Sequence, residues 1–551
     1  MINVLSFSTN YEYAVDLHDN SGILFGSGTL KFGAGKLIRI HMDRFPSFLI
    51  PEGENTVKAT TVSGDIFTLI NCVLESNTIY ADLIICGEIE SGANSIIVKY
   101  ADISEWFMHD QKIECKPGES IIWGSPPPPV EAEVIIGSDS FSIKSDIYSS
   151  ITHKTEKRVI NEYVTFVFSK ADQAFDFSEI QEKPHRLSCL LSILIAYPIS
   201  ISSIWVKERN GRGLPAYFPA FERPKKEFEK NQLWRNSLIR RKILDSCWTE
   251  LFNLYFNSPH MNTIWVRLAG MQRYTGFWEY RVLGYVTLLD SYANAISVRD
   301  NLKPIKERKS ERDEIGRKIA QLKPTLTPEQ LQKIKRILEN SLPDKKNAPT
   351  FKERYEHLIS DTDAEITKII DITQDEFNII KGARDAIAHN DAANLAEYPY
   401  EKIYPITQKI TLLLTFRALS EFGMSTEDFI RSLGDTTNEL RHIEGLNTIN
   451  LERRLSPESF FNVSSELFEK ISHFVSERIH PIFTLNSTGE LQYSEEHVSL
   501  YNEWIRDRSR HHKTFADKLG INEQSINMIS QMHIEFDGRI EILIGAHIIS
   551  I

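Results

Sequence analysis

The sequence predicts an α+β multidomain protein, with a β-rich, sandwich-like front, a helical bundle, and a small α+β tail. Three observations carry that reading. Short apolar runs punctuated by turn residues fill residues 1 to about 170. Apolar positions then follow helical spacing from 226 to 445. Mixed patterning returns in 446–551. The expected divisions are 1–170 for the β-rich domain, 171–225 for an α/β connector, 226–445 for the helical domain and 446–551 for the tail.

At the front, alternation recurs at Ile23-Leu24-Phe25, Leu37-Ile38-Arg39-Ile40, Ile66-Phe67-Thr68-Leu69-Ile70 and Leu83-Ile84-Ile85. Ser63-Gly64-Asp65 and Lys116-Pro117-Gly118 supply turns between such runs. The Pro126 to Pro129 run cannot lie inside a sheet, so it is expected to link two β layers in extended form. A helix should follow from Asp176 and a strand from Ile201 to Lys207. The helical domain is expected to hold helices at Glu227–Phe256, Phe277–Val298, Pro328–Asn340, Lys352–Ile370, Thr373–His389 and Ile406–Phe422. Pro405 is a natural start for the last of these and Gly423 a natural stop. In the tail, Asp537-Gly538 marks a hairpin.

Composition bounds the function. The 551 residues are 41% hydrophobic and 25% charged, ordinary values for a soluble globular protein. A net charge of −12 excludes a uniformly basic nucleic-acid coat but leaves room for a local basic site. Residues 299–354 are locally basic, with 16 Lys and Arg against 9 Asp and Glu, a net +7. They read as a basic helical insertion whose Lys303, Lys306, Arg308, Lys309, Lys333, Lys335 and Arg336 could grip RNA phosphates. Solvated Glu–Lys pairing is the plainer use of the same residues. Five scattered cysteines without a Cys-x-x-Cys pair fit reduced thiols in a cytoplasm. The opening residues lack the pattern of a signal peptide, and no membrane span is expected. No His, Cys and carboxylate set has zinc spacing, and Gly33-Ala34-Gly35-Lys36 lacks the spacing of a phosphate-binding loop. No metal or cofactor is expected.

The chemistry concentrates at Arg384-Asp385-Ala386-Ile387-Ala388-His389. An imidazole can move a proton, and a guanidinium can steady charge building on phosphate. A second Arg-x4-His run, Arg506 to His511, is charged all round and reads as a solvated face. The first has better context. Thr373-Gln374-Asp375-Glu376 forms a capping box, and Ile380, Ala383 and Ile387 give an apolar stripe. Ala383, Ala386 and Ala388 are small enough for another helix to approach. Five residues at about 100° each set Arg384 and His389 about 140° apart around the axis. One helix cannot aim both at one point, so two copies meeting across a twofold axis are expected to build a composite site.

This segment resembles the Arg-x4-His motif of the HEPN superfamily of small helical bundles, in which the residue after Arg is often polar, as Asp385 is. Phe277 to Ala293 resembles the first long HEPN helix, with Asp290 where relatives often carry an acid. Phe25–Phe32, Gly64–Cys72 and Ile103–Phe107 resemble strand signatures of the ApeA amino-terminal domain. The resemblance spans roughly residues 1–445. It implies a metal-independent endoribonuclease of bacterial antiphage defence that aborts infection by cutting host RNA such as tRNA. It implies catalytic Arg384, His389 and Asp385, with Asp290 and Asn390 in support. The implied partners are RNA, a phage-derived trigger protein sensed by the β-rich front, and a second copy of the chain. The alternative reading is a non-catalytic HEPN module that binds nucleotide or RNA, or senses phage.

Overall fold

Among the described residues, fourteen antiparallel strands form one continuous hydrogen-bonded sheet at the front of the chain. It runs from an edge at Glu131–Ile136 to the opposite edge at Val73–Glu75. The computed structural model describes residues 4–550 except 20, 44–55, 90–91, 110–112, 115–121, 125, 155–156, 172, 210, 222–232, 304–314, 320, 322–326, 342–347, 390–394, 473–479, 487–488 and 508–513. Alternation dictates the strands. In Lys36–Met42, Ile38, Ile40 and Met42 turn inward and their neighbours turn to solvent. Gly33-Ala34-Gly35 is a turn, with positive φ at all three residues. A Cβ on Gly33 would meet the Thr9 carbonyl oxygen at 1.9 Å, so only glycine fits there.

Two blocks of strands make up this sheet. One holds Glu131–Ile136, Asp139–Lys154, Lys157–Ser169 and Ser95–Tyr100. The other holds the strands between Asn10 and Cys86. Residues 171–225, expected as a connector, join them. Ile201–Lys207 pairs with Ser95–Tyr100, and Leu214–Tyr217 pairs with Leu83–Cys86. The Phe177–Ile195 helix precedes this pair, started by a capping box between Asp176 and Glu179.

The helix expected over Glu227–Phe256 is interrupted. Residues 222–232 lie outside the described set. The rest is a short helix at Leu233–Asn236, a 3-10 turn at Arg241–Leu244 and a helix at Trp248–Asn257. Between the first two, the Leu238 and Ile239 N–H groups donate to the Ile195 and Leu194 carbonyls. Tertiary bonds take these donors away from a continuous helix. Trp106 is buried, and its indole N–H donates to the Ile239 carbonyl at 2.8 Å, so it belongs to the core.

Four helices frame the motif, namely α1 (Trp278–Arg299), α2 (Phe351–Asp361), α3 (Gln374–Ala388) and α4 (Tyr400–Glu421). Both α2 and α3 pack against α1, and α4 packs against α1 and α3. The helix expected over Lys352–Ile370 breaks after Asp361. The Thr362 hydroxyl bonds the Leu358 carbonyl, and Asp363 caps a new short helix, Ala364–Ile370. Pro405 lies inside α4 rather than at its start, because Pro399 occupies the N-cap position. The cost is one missing N–H, the partner that the Glu401 carbonyl would otherwise have. Gly423, at φ +90°, ends the helix as expected. No helix among the described residues is long and apolar enough to cross a membrane.

The chain divides into two compact units, Met1–Leu446 and Asn447–Ile551. The five strands of the second unit run Phe460–Asn462, Ile526–Phe536, Arg539–Ser550, Ile482–Leu485, Leu491–Tyr493 across the sheet. Asp537 and Gly538 both take positive φ, as a two-residue hairpin turn requires. His533 and His547 are buried in this unit.

Candidate active site

The capping box expected at Thr373 is present. Thr373 accepts from the Glu376 N–H, and the Glu376 carboxylate accepts from the Thr373 N–H at 2.8 Å. Glu376 also receives the ammonium of Lys409 on α4 at 2.8 Å, and that ammonium donates to the Asp371 carbonyl as well. Lys409 is 2% exposed, so this pair fixes the start of α3 from inside the bundle. Along α3, Phe377, Ile380, Ala383 and Ala386 are buried. Ala383 and Ala386 thus serve packing within the chain's own bundle, whereas Ala388 is exposed.

Arg384 lies at the edge of that packed face. Its side chain is 25% exposed. One terminal nitrogen sits 3.4 Å from Asp290 Oδ2 on α1, and the other 3.1 Å from Asp385 Oδ1. The guanidinium carbon stands 5.3 Å from the centre of the Phe351 ring on α2, a cation–π geometry. Asp290, expected only as a supporting acid on the first long helix, lies within reach of Arg384. It is shared, because Arg354 Nη2 donates to Asp290 Oδ1 at 2.5 Å. Sequence reasoning counted Arg354 only within the basic insertion. Here it faces inward. Thr350-Phe351-Lys352-Glu353 is a second capping box that marks the start of α2 and could have located both Phe351 and Arg354.

His389 is the C-cap residue of α3 and is exposed. Its N–H bonds the Asp385 carbonyl at 3.0 Å. Among the described residues its imidazole has no hydrogen bond or ion pair. The Asp385 carboxylate faces Arg384 and, more loosely at 3.8 Å, Lys381. Arg384 and His389 thus sit on different sides of one helix end, and nothing within the described chain brings them to a common point. Asn390 lies outside the described residues.

In the basic insertion, Lys303, Lys333 and Arg336 are exposed, the last two on the Pro328–Ser341 helix. Lys306, Arg308, Lys309 and the side chain of Lys335 lie outside the described residues. So does most of the second Arg-x4-His run, from 508 to 511. Among the described residues no three His, Cys, Asp or Glu side chains converge as metal ligands would.

Two family models match the chain. ApeA N-terminal domain 1 matches residues 15–260, and Apea-like HEPN matches residues 283–428. The second match takes in Asp290, Arg354, Arg384 and His389. The first runs past the strands at 201–217 that complete the front sheet. No curated protein and no solved structure matches the chain.

Proposed function

From a chain that joins an ApeA N-terminal domain 1 to an Apea-like HEPN domain, the make-up of an ApeA-type HEPN protein of antiphage defence, we propose a metal-independent endoribonuclease. It acts as a homodimer and cuts host RNA such as tRNA once phage infection activates it. The supporting observation is the pairing of a partly exposed guanidinium, Arg384, with an exposed imidazole, His389, on one capped helix. Their opposed directions suit a site built from Arg384 of one copy and His389 of the other.

In that site His389 takes the proton of a ribose 2′-hydroxyl. The 2′-oxygen attacks the adjacent phosphorus, and the bond from phosphorus to the 5′-oxygen breaks. The proton passes to that leaving oxygen. Arg384 stabilises the charge that accumulates on the phosphorane oxygens. Asp290 and Asp385 set the direction of Arg384. The products are a 2′,3′-cyclic phosphate and a 5′-hydroxyl end. Exposed Lys303, Lys333 and Arg336 hold the RNA backbone, and the β-rich front senses a phage-derived trigger.

The test is cleavage of RNA by the purified chain in excess chelator. His389→Ala should slow it by about a hundredfold or more, the usual size of proton-transfer catalysis. Arg384→Ala should do at least as much. Unchanged cleavage by His389→Ala would overturn the assignment. One observation favours a second reading, a module that binds RNA or nucleotide, or senses phage, without cutting. Arg384 is already engaged by two carboxylates. In that case wild type and Arg384→Ala would leave cellular RNA equally intact after infection.

A further inference from the structure

We propose that Arg354 is a positioning residue that keeps Arg384 from closing fully onto Asp290, and so able to meet phosphate, by occupying the carboxylate the two arginines share. The idea rests on Arg384 as the phosphate-binding group of the proposed nuclease, but its test reads Arg384 directly.

The geometry at Asp290 is uneven. Arg354 takes Oδ1 at 2.5 Å, while Arg384 stands at 3.4 Å from Oδ2, near the outer limit of a hydrogen bond. Arg354 is itself pinned. Its second terminal nitrogen donates to the Pro349 carbonyl at 2.6 Å, and its side chain is only 16% exposed. The capping box that starts α2 fixes the backbone beneath it, with the Thr350 N–H donating to Glu353 at 2.6 Å. The same first turn carries Phe351, the ring under Arg384. One short stretch, Phe351 to Arg354, therefore supplies both the floor on which Arg384 rests and the cation that competes with it for Asp290.

Removing that competitor changes the electrostatics in a definite direction. With both oxygens of Asp290 free, a carboxylate and a guanidinium close into a bidentate pair. Arg384 would turn from Asp385 toward α1, lose its exposed edge and be held by Asp290 in a closed pair. A residue that only filled space would not produce this result, and neutralising Asp290 would not cure its loss.

The experiment uses the full chain and phenylglyoxal, a reagent that modifies accessible arginines, with peptide mass spectrometry to follow Arg384. An Arg384→Ala protein identifies the signal. Arg354→Gln should slow Arg384 modification by about tenfold, the scale of one charged hydrogen bond gained. Adding Asp290→Asn to Arg354→Gln should return the rate to at least that of wild type. Arg354→Lys, which keeps the charge without the fork, should fall between, and serves if Arg354→Gln fails to fold. Metal-free RNA cleavage should follow the same order. Wild-type labelling in Arg354→Gln, or no recovery in the double variant, overturns the proposal. Labelling in the stated order from a protein that leaves RNA intact supports the positioning role while removing the nuclease reading.

Discussion

Lys409 shows how a single side chain can hold the candidate site in register. Lys409 is 2% exposed, and its ammonium bridges Glu376 and the Asp371 carbonyl. Lys409→Met should leave the Glu376 charge without its partner and cost about 3 kcal/mol, toward the low end for a broken buried pair because Glu376 is partly solvated. Chemical denaturation would read this as a lower midpoint. Lys409→Met combined with Glu376→Gln should lose less than the single change, since no charge is then stranded. Sequence analysis found Glu376 through the capping box but could not find Lys409. A lysine among Ile406, Thr407, Ile410 and Thr411 looks like any helix lysine until the fold turns it inward. Arg354 was missed for the same reason. A basic run reads as a surface, and only packing shows which of its members face in.

At the scale of elements, local rules located what local bonds decide. Thr373 and Glu376 set the start of α3, Gly423 the end of α4, and Asp537-Gly538 the hairpin. They failed where tertiary contacts compete for the backbone. Residues 227–256 have helical spacing, yet the Leu238 and Ile239 N–H groups bond the end of another helix. The hairpin unit also carries a pH dependence. Burial pushes the imidazoles of His533 and His547 below their ordinary value, and for His547 the nearby His480 adds to the effect. Both therefore take up a proton less readily when folded than when unfolded. Below about pH 6.5 the unfolded chain binds protons that the folded unit refuses, so stability is complete above that value and falls as acid drives pH toward the lowered values. Hydrogen exchange across Ile526–Phe536 in the full chain, corrected for intrinsic rates, should lose protection on going from about pH 7.5 to about pH 5.5. Constant protection would refute the assignment.

For the whole molecule, the decisive question is whether one site needs two chains. If Arg384 and His389 come from different copies, an inactive Arg384→Ala protein mixed with an inactive His389→Ala protein should regain activity. Equal mixing with free exchange makes half the dimers mixed. Each of those has one intact site and one doubly damaged site, so about a quarter of wild-type activity should return. A mixture as dead as its components would place both residues in one chain's own site. The broad order of β-rich front, helical bundle and α+β tail was readable because alternation and helical spacing are strong over long stretches. The joining of the front into one sheet was not, because residues 171–225 look like a short link and nothing in their spacing names the strands they will pair with.

That joining strand pair has a consequence for how the molecule is made. Among the described residues, the block around Lys157–Ser169 and the block around Asn10–Cys86 are joined in the sheet through Ile201–Lys207 and Leu214–Tyr217. On a translating ribosome both blocks emerge with a raw inner edge and stay apart until residue 217 has cleared the exit tunnel. The front of the protein therefore closes late, shortly before the first turns of the helical domain at Trp278–Arg299 are synthesised.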